Sequence, residues 1–121
     1  MPAYELTELR GKVQAAQTTG QGVMWNTSKT TDVVEERLSM TTRQARAYIY
    51  ETLLALEPLN FVETKAEFPP PADVYGIEHF CAAEMRRLPW YVKFAIPSNL
   101  LMISFHPPTG PLRTAGAGVV R

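Results

Sequence analysis

The chain has 121 residues, of which 45% are hydrophobic and 20% are charged. This length fits one compact domain without a second core, and this composition argues against an intrinsically disordered protein. Twelve basic side chains balance twelve acidic ones, which argues against a protein that binds nucleic acid through bulk charge alone.

The N-terminal part of the chain is predicted to be helical. Residues 4–18 carry apolar side chains at helical spacing, which predicts a first helix that ends near Gly20. Residues 18–31 are rich in Gly, Ser, Thr and Asn, so we expect a loop or at most one short strand there. A second helical pattern starts after Thr31, and a third predicts a helix over residues 42–56.

The middle of the chain changes to a strand pattern. Residues 61–68 roughly alternate apolar and polar side chains, which predicts a strand. Three prolines follow at 69–71, and because proline cannot donate a ladder hydrogen bond, we expect the next strand to start at residues 73–76. Residues 77–87 fit either a short helix or a long loop.

The last part of the chain decides the fold class. Residues 90–96 and 101–106 form the clearest hairpin in the sequence, and the tail from residue 107 is rich in Pro and Gly and is expected to be loose. Helices followed by three or four strands that look antiparallel predict an α+β fold. We therefore expect N-terminal helices packed on a small antiparallel β-sheet, in a single domain over residues 1–121.

The register of the hairpin decides which of its side chains are buried, because neighbouring residues of a strand point to opposite faces. Only one register makes one face wholly apolar, and its pairs are Ile96 with Leu101, Phe94 with Ile103, and Val92 with Phe105. On the opposite face this register pairs Tyr91 with His106 and Lys93 with Ser104. A phenol, an imidazole, an ammonium and a hydroxyl are thus predicted to share one patch of sheet.

These groups suit metal-independent cleavage of a phosphodiester. One group takes the proton of a 2′-hydroxyl, another donates a proton to the leaving 5′-oxygen, and a cation stabilises the charged transition state. Histidine titrates near neutral pH, and lysine remains charged unless it is desolvated. The alternative is that Tyr91, Lys93 and His106 are ordinary residues of a solvated strand face.

The C-terminal third of the chain is basic. Residues 85–121 hold five basic side chains and no acidic one, whereas residues 47–84 hold one basic side chain and seven acidic ones. This asymmetry suggests that the C-terminal third faces an anion, and a solvated charged surface is the alternative.

Four residues of this third are candidates for RNA binding. Arg86 and Arg87 suit a phosphate, and Trp90 beside them suits a stacked base. Arg113 in the tail is the fourth candidate. The alternative is an ordinary exposed arginine pair next to a core tryptophan.

Neither a metal nor another cofactor is expected. Cys81 follows His79 by two residues, and with His106 they make fewer than the four ligands of a structural zinc site. We expect Cys81 to be a buried small hydrophobe in a reducing compartment. The chain shows no apolar run of membrane length and no secretion signal at its start, so we expect a cytoplasmic protein without a membrane partner.

Four short segments between residues 56 and 106 are informative when taken together, although none is specific by itself. They are Leu56-Glu57-Pro58-Leu59-Asn60-Phe61, Ala72-Asp73-Val74-Tyr75, Trp90-Tyr91-Val92-Lys93-Phe94, and Leu100-Leu101-Met102-Ile103-Ser104-Phe105-His106. In these segments and in their order, residues 56–106 resemble the motility quorum-sensing regulator (MqsR) toxins, a family within the RelE-like group of small bacterial mRNA-cleaving toxins. The resemblance implies a RelE-like version of the α+β fold.

The resemblance also implies roles for particular residues. In the family, a tyrosine in the strand that matches residues 90–94 and the basic residue that ends the last strand contribute to RNA cleavage. These two residues correspond to Tyr91 and His106. The family has lysine at the last position, and other RelE-like toxins place a histidine near it. Two positions depart from the pattern, since Ala72 replaces a glutamine and Glu63 a lysine. Lys65 shares a strand face with Glu63 and is the candidate substitute.

The preferred hypothesis is therefore a metal-independent mRNA endoribonuclease of a toxin–antitoxin system, which leaves 2′,3′-cyclic phosphate and 5′-hydroxyl ends. His106 is the expected general acid, Tyr91 transfers a proton or positions the substrate, and Lys93, Lys65 and Arg87 stabilise charge. The expected partners are mRNA, either free or ribosome-bound, and a cognate antitoxin. The alternatives are a non-catalytic RNA-binding or protein-interaction module of the same fold, and an accessory protein of a mobile element.

Overall fold

The computed structural model describes residues 1–67 and 69–121. Three helices pack on one face of a five-stranded sheet, and a small two-stranded sheet lies near the C-terminus, so the predicted α+β fold is confirmed. The helices are α1 (Leu6–Thr19), α2 (Thr31–Leu38) and α3 (Thr42–Leu54). The strands are β1 (Val23–Trp25), β2 (Phe61–Lys65), β3 (Ala72–Cys81), β4 (Arg86–Ala95), β5 (Leu100–His106), β6 (Leu112–Arg113) and β7 (Val119–Val120).

The main sheet has the strand order β1-β5-β4-β3-β2. Strands β2 to β5 are antiparallel to their neighbours, as predicted, whereas β1 pairs with β5 in parallel. β1 comes from the segment predicted to hold at most one short strand. Strands β4 and β5, which carry the predicted polar patch, therefore lie inside the sheet rather than at its edge.

Local signals explain where the helices begin and end. Gly20 adopts a left-handed conformation with φ 73° directly after α1, as predicted. At the start of α3 the Thr41 hydroxyl accepts a hydrogen bond from the Gln44 backbone N–H, and the Gln44 side-chain oxygen accepts one from the Thr41 N–H. This capping box starts α3 where the sequence predicts, and the helix ends two residues before the predicted position 56.

The hydrophobic core lies between the helices and the sheet face that they cover. Leu9 of α1 and Ile49 and Leu53 of α3 are fully buried there. They pack with aromatic side chains of the central strands, among them Trp90 and Phe105, whose ring centroids are 4.7 Å apart. The helices therefore use one face of the sheet and leave the other for the C-terminal segment and the polar patch.

A buried carboxylate holds the N-terminal segment against the sheet. Asp73 is fully buried, and its two oxygens accept hydrogen bonds from the backbone N–H groups of Ala3 and Tyr4, each at 2.9 Å. The Thr64 hydroxyl donates to the same carboxylate at 2.6 Å. Because these bonds satisfy a charge that would be costly to bury alone, Asp73 has a structural role.

The prediction for residues 77–87 is wrong. Strand β3 continues to Cys81, residues 82–85 form the turn, and β4 begins at Arg86. The turn lacks Gly, Pro and Asn, so its sequence reads as helix-forming, and pairing along the whole of β3 and β4 overrides that local preference. The strand predicted over residues 61–68 ends at Lys65, and Phe68 lies outside the described residues.

The predicted register of β4 and β5 is correct at one end and wrong at the other. Tyr91 with His106, Val92 with Phe105 and Lys93 with Ser104 pair as predicted. Beyond these pairs a β-bulge shifts the register by one residue, so Phe94 pairs with Met102 instead of Ile103. Leu100 and Met102 therefore enter the core in place of Leu101 and Ile103.

The tail from residue 107 is not loose as predicted. Strands β6 and β7 pair into a hairpin, and Val120 at its end is buried. The hairpin lies against Gly76 of β3, where an added Cβ would meet Leu112 Cδ1 at 3.1 Å and Val120 Cβ at 3.4 Å. The missing side chain of Gly76 therefore provides the room in which this hairpin packs.

Candidate functional site

Tyr91 and His106 lie side by side on the sheet face that the helices do not cover, which we call the site face. They are paired residues of β4 and β5. Their rings are stacked, with centroids 4.8 Å apart and planes inclined by 10°. This contact holds the phenol and the imidazole in one place, so both can reach the same ligand group.

A backbone carbonyl orients the imidazole of His106. Its Nδ1 lies 2.8 Å from the Pro107 carbonyl oxygen. A carbonyl only accepts hydrogen bonds, so Nδ1 carries a proton and donates it. Nε2 then holds the lone pair of the neutral ring or the second proton of the imidazolium, and it is the nitrogen left for proton transfer.

The Tyr91 hydroxyl is a donor at neutral pH. Burial raises the pKa of Tyr91, and the negative charge of Glu63 raises it further. The phenol therefore stays protonated in the range where histidine titrates. It is suited to donating a hydrogen bond or a proton, and it is not suited to acting as a phenolate base.

Lysine side chains supply positive charge beside this pair. Lys93 follows Tyr91 by two residues on the same face, and its partner Ser104 is 8% exposed. Lys65 at the end of β2 and Lys93 line the same cavity. The Lys65 ammonium lies 3.9 Å from the Glu63 carboxylate, which partly offsets its charge. The structure thus brings Tyr91, His106 and Lys93 together on the site face, and it places Lys65 at a cavity that Lys93 also lines.

The predicted RNA-binding role of Trp90 is wrong. Trp90 is 1% exposed, and its indole N–H donates to the Tyr48 hydroxyl at 2.9 Å inside the core. Neighbouring residues of a strand point to opposite faces. Because Tyr91 points to the site face, Trp90 beside it must point toward the helices. The alternative of a core tryptophan beside exposed arginines is the observed arrangement.

The three candidate arginines occupy different positions. Arg86 is bound to the Glu84 carboxylate at 3.0 Å at the far end of the β3–β4 hairpin. Arg87 precedes Tyr91 by four residues in β4, about 13 Å along the strand, so the two side chains leave the strand on the same face. The Arg87 guanidinium donates to the Glu78 carbonyl at 2.8 Å. Arg113 lies on the β6–β7 hairpin beside Gly76, the strand partner of Tyr91. Arg87 lines a separate cavity with Glu78 and His79, Arg113 belongs to the hairpin that borders the site face, and Arg86 is held by Glu84.

Three features of the site face are missing from the sequence prediction. Glu63 is noted there only as a departure from the family pattern, yet its charge acts on Tyr91. The bulge brings Ile103 to the same cavity as Lys65 and Lys93. The tail hairpin borders the face through Gly76. Only Gly76 carried a sequence signal, because a glycine inside a strand marks a close approach by another chain segment.

His79 and Cys81 both pack against other side chains of the fold. Cys81 is buried, as predicted, and the His79 ring packs on Tyr48 with centroids 5.3 Å apart. Burial lowers the pKa of His79. Within the part of the chain that the structure describes, no three His, Cys, Asp or Glu side chains gather to hold a metal ion.

A larger cavity of about 690 Å³ lies elsewhere, between the N-terminal segment, α1 and Tyr75. Its size is in the range of ligand pockets, about 300–1,000 Å³. Arg10 lines it and donates to the Leu56 carbonyl at 2.8 Å. Among the described residues that line it there is no histidine.

The chain matches no protein-family model and no curated protein sequence. The likeness to the MqsR toxins therefore rests on the motifs quoted above. In residues 1–67 and 69–121, no helix combines the length and the apolar character that a membrane crossing needs.

Proposed function

We propose that this protein is an endoribonuclease of the MqsR or RelE-like toxin type, which cleaves mRNA without a metal ion. The observation that supports this proposal is the stack of Tyr91 on His106 beside Lys93 on the site face. Together they offer a proton donor, a fixed imidazole and a cation, which are the groups that phosphodiester transesterification uses.

In the proposed reaction the 2′-oxygen of a ribose attacks the neighbouring phosphorus, and its proton passes to solvent water. His106, as the imidazolium, donates its Nε2 proton to the leaving 5′-oxygen. The P–O5′ bond breaks, and the products are a 2′,3′-cyclic phosphate and a 5′-hydroxyl. Tyr91 donates a hydrogen bond to a phosphate oxygen, and Lys93 stabilises the added negative charge.

The proposed partners follow from the same resemblance. They are mRNA, free or on the ribosome, and a cognate antitoxin that covers the site face or holds the toxin in a complex. The proposed location is the cytoplasm. Lys65 adds positive charge beside Lys93, in place of the family's lysine.

The test is incubation of the purified protein with an end-labelled mRNA in EDTA, with and without ribosomes. The wild type is expected to leave cyclic-phosphate ends, and His106→Ala to cleave about 10²–10⁴-fold more slowly, the usual contribution of a general acid. His79→Gln is the matched control, because His79 is the only other histidine and packs against Tyr48, away from the site face. The proposal would be contradicted if the wild type left the RNA intact both with and without ribosomes, or if the wild type and His106→Ala cleaved it at equal rates.

The second candidate is a non-catalytic RNA-binding or protein-interaction module of the same fold. It is favoured by Ala72, which is buried and replaces the family's glutamine, and by Glu63, whose carboxylate lies close to Lys65. Induced expression separates the two candidates. Growth arrest by the wild type but not by His106→Ala supports the enzyme, and arrest by neither supports the module.

A further inference from the structure

A β-bulge places an apolar side chain among the charged groups of the site face. Ser104 pairs with Lys93 and Met102 pairs with Phe94, which leaves Ile103 without a partner residue on β4. Bulges often re-aim a side chain next to a functional site. Ile103 is half-buried and lines a cavity that Lys93 also lines, whereas an unbroken ladder would have placed it in the core.

This cavity has a volume of about 180 Å³. It is smaller than the pockets of about 300–1,000 Å³ that take a whole drug-sized ligand, so it has room for a small group only. Its walls combine two ammonium groups, one carboxylate and four apolar side chains. These residues are Lys65, Lys93, Glu67, Pro69, Pro70, Ala72 and Ile103.

We propose that this cavity is a nucleotide subsite, which holds one base of single-stranded RNA next to the phosphate at Lys93. The proposal rests on the proposed function and names the part of the substrate that the site face recognises. Lys65 and Lys93 suit a phosphate, and the apolar surfaces of Pro69, Pro70 and Ile103 suit the face of a base. A bare anion fits less well, because the carboxylate of Glu67 would repel it.

Glu67 predicts which bases the subsite prefers. A carboxylate accepts hydrogen bonds and donates none, so it binds a base edge that carries an amino group. Cytosine, adenine and guanine have an exocyclic amino group. Uracil has none, and its N3–H donor lies between two carbonyl oxygens that a carboxylate repels. The subsite should therefore favour an amino-bearing base over uracil.

The four isoleucines of the chain provide the test of occupancy. Protein labelled with ¹³C in its isoleucine methyl groups is titrated with a 2′-O-methyl single-stranded RNA, which cannot be cleaved because its attacking hydroxyl is blocked. The Ile103 methyl signal is expected to shift through the ring current of the bound base. Ile49, Ile77 and Ile96 are at most 5% exposed in the core and are expected to stay unchanged.

The outcomes separate the subsite from the proposed function. If RNA is cleaved while the Ile103 signal does not move, the subsite is wrong and the proposed function stands. If RNA is bound and shifts the Ile103 signal but is not cleaved, the proposed function is wrong and the subsite stands. If RNA is neither bound nor cleaved, the proposed function fails and the subsite fails with it.

Two variants test base preference, with cleavable RNAs that differ only by cytosine or uracil at one position beside the scissile bond. Ile103→Ala is expected to lower kcat/KM for the cytosine substrate about tenfold, the usual effect of losing an apolar contact of this size. Leu101→Ala is the matched control, since Leu101 is half-buried on the same strand but outside the cavity lining. Glu67→Ala is expected to reduce the preference for cytosine over uracil. The subsite would be overturned if Ile103→Ala and Leu101→Ala lowered kcat/KM equally, or if Glu67→Ala left the preference for cytosine over uracil unchanged.

Discussion

Tyr48 connects α3 to the sheet through its hydroxyl group. The hydroxyl accepts a hydrogen bond from the Trp90 indole nitrogen at 2.9 Å and donates one to the His79 carbonyl at 3.2 Å. Trp90 is buried, so this oxygen satisfies a donor that water does not reach. Strand alternation turns Trp90 toward the helices, and this hydrogen bond fixes the orientation of its indole ring there.

Tyr48→Phe is predicted to lower the free energy of unfolding by about 1–3 kcal/mol, because it leaves the buried indole N–H of Trp90 without a partner. Urea denaturation followed by circular dichroism measures the change. Tyr50→Phe is the matched control on the same helix, since the Tyr50 hydroxyl makes no hydrogen bond within the described residues. A similar loss in both variants would show that the Tyr48–Trp90 bond is not responsible.

At the residue scale the sequence predicted the site face better than its surroundings. Period-two alternation places Tyr91 and Lys93 on one face, and His106 joins them because the register near it is regular. The same alternation places Trp90 on the other face, so its predicted role in RNA binding was inconsistent with that of Tyr91. Alternation carries no information on Glu63, whose effect on Tyr91 depends on distance across the sheet.

At the element scale, the β6–β7 hairpin and β3 form a contact that borders the site. Gly76 pairs with Tyr91, and Leu112 and Val120 occupy the space where a Gly76 side chain would lie. The hairpin is also tied to the β2 edge, because the Ala115 N–H donates to the Phe61 carbonyl at 2.8 Å. The tail is thus a wall of the site face.

Gly76→Val is predicted to displace this hairpin, because its side chain would collide with Leu112 and Val120. The overpacking should cost about 1–3 kcal/mol of stability. Limited proteolysis should cut residues 107–121 faster in the variant, while the core signals of near-ultraviolet circular dichroism persist. Gly11→Val is the control for the loss of a glycine, since a Cβ at Gly11 meets nothing within 4 Å. If the protease cut the tail of Gly76→Val no faster than that of the wild type, the packing of the tail hairpin against Gly76 would be contradicted.

The elements that the sequence missed share one cause. The extension of β3 and β4 to the turn at residues 82–85 depends on hydrogen bonds between strands rather than on local preference. The bulge at Ile103 and the tail hairpin depend likewise on contacts with other strands. The helices were predicted well because their apolar spacing and caps, such as Gly20 and the Thr41 box, are local.

At the scale of the whole molecule, burial of tyrosine hydroxyls links stability to alkaline pH. Burial raises the pKa of Tyr48 and that of Tyr75 from 10.0 to about 12 each. The unfolded chain, with tyrosine pKa values near 10, loses these protons first. The contribution of these two tyrosines to the free energy of unfolding is therefore complete below about pH 10 and is lost as the pH rises toward 12.

We predict that the free energy of unfolding falls between pH 10 and pH 12, as measured by urea denaturation at each pH. Tyr75→Phe removes one of these tyrosine titrations and should make this fall less steep. A pH dependence that is identical in wild type and variant would exclude Tyr75 as a source.

The sequence by itself determined the fold class, the three helices, the approximate positions of strands β2 to β5 and the shared face of Tyr91, Lys93 and His106. Those properties follow from spacing and alternation, which act between residues close in the chain. Only the tertiary structure decided the parallel β1 edge, the bulge that moves Ile103, the tail hairpin over Gly76 and the meeting of Lys65 with Lys93. Each of these depends on packing between distant segments, because the free energy of a contact is set by the partner that the fold supplies.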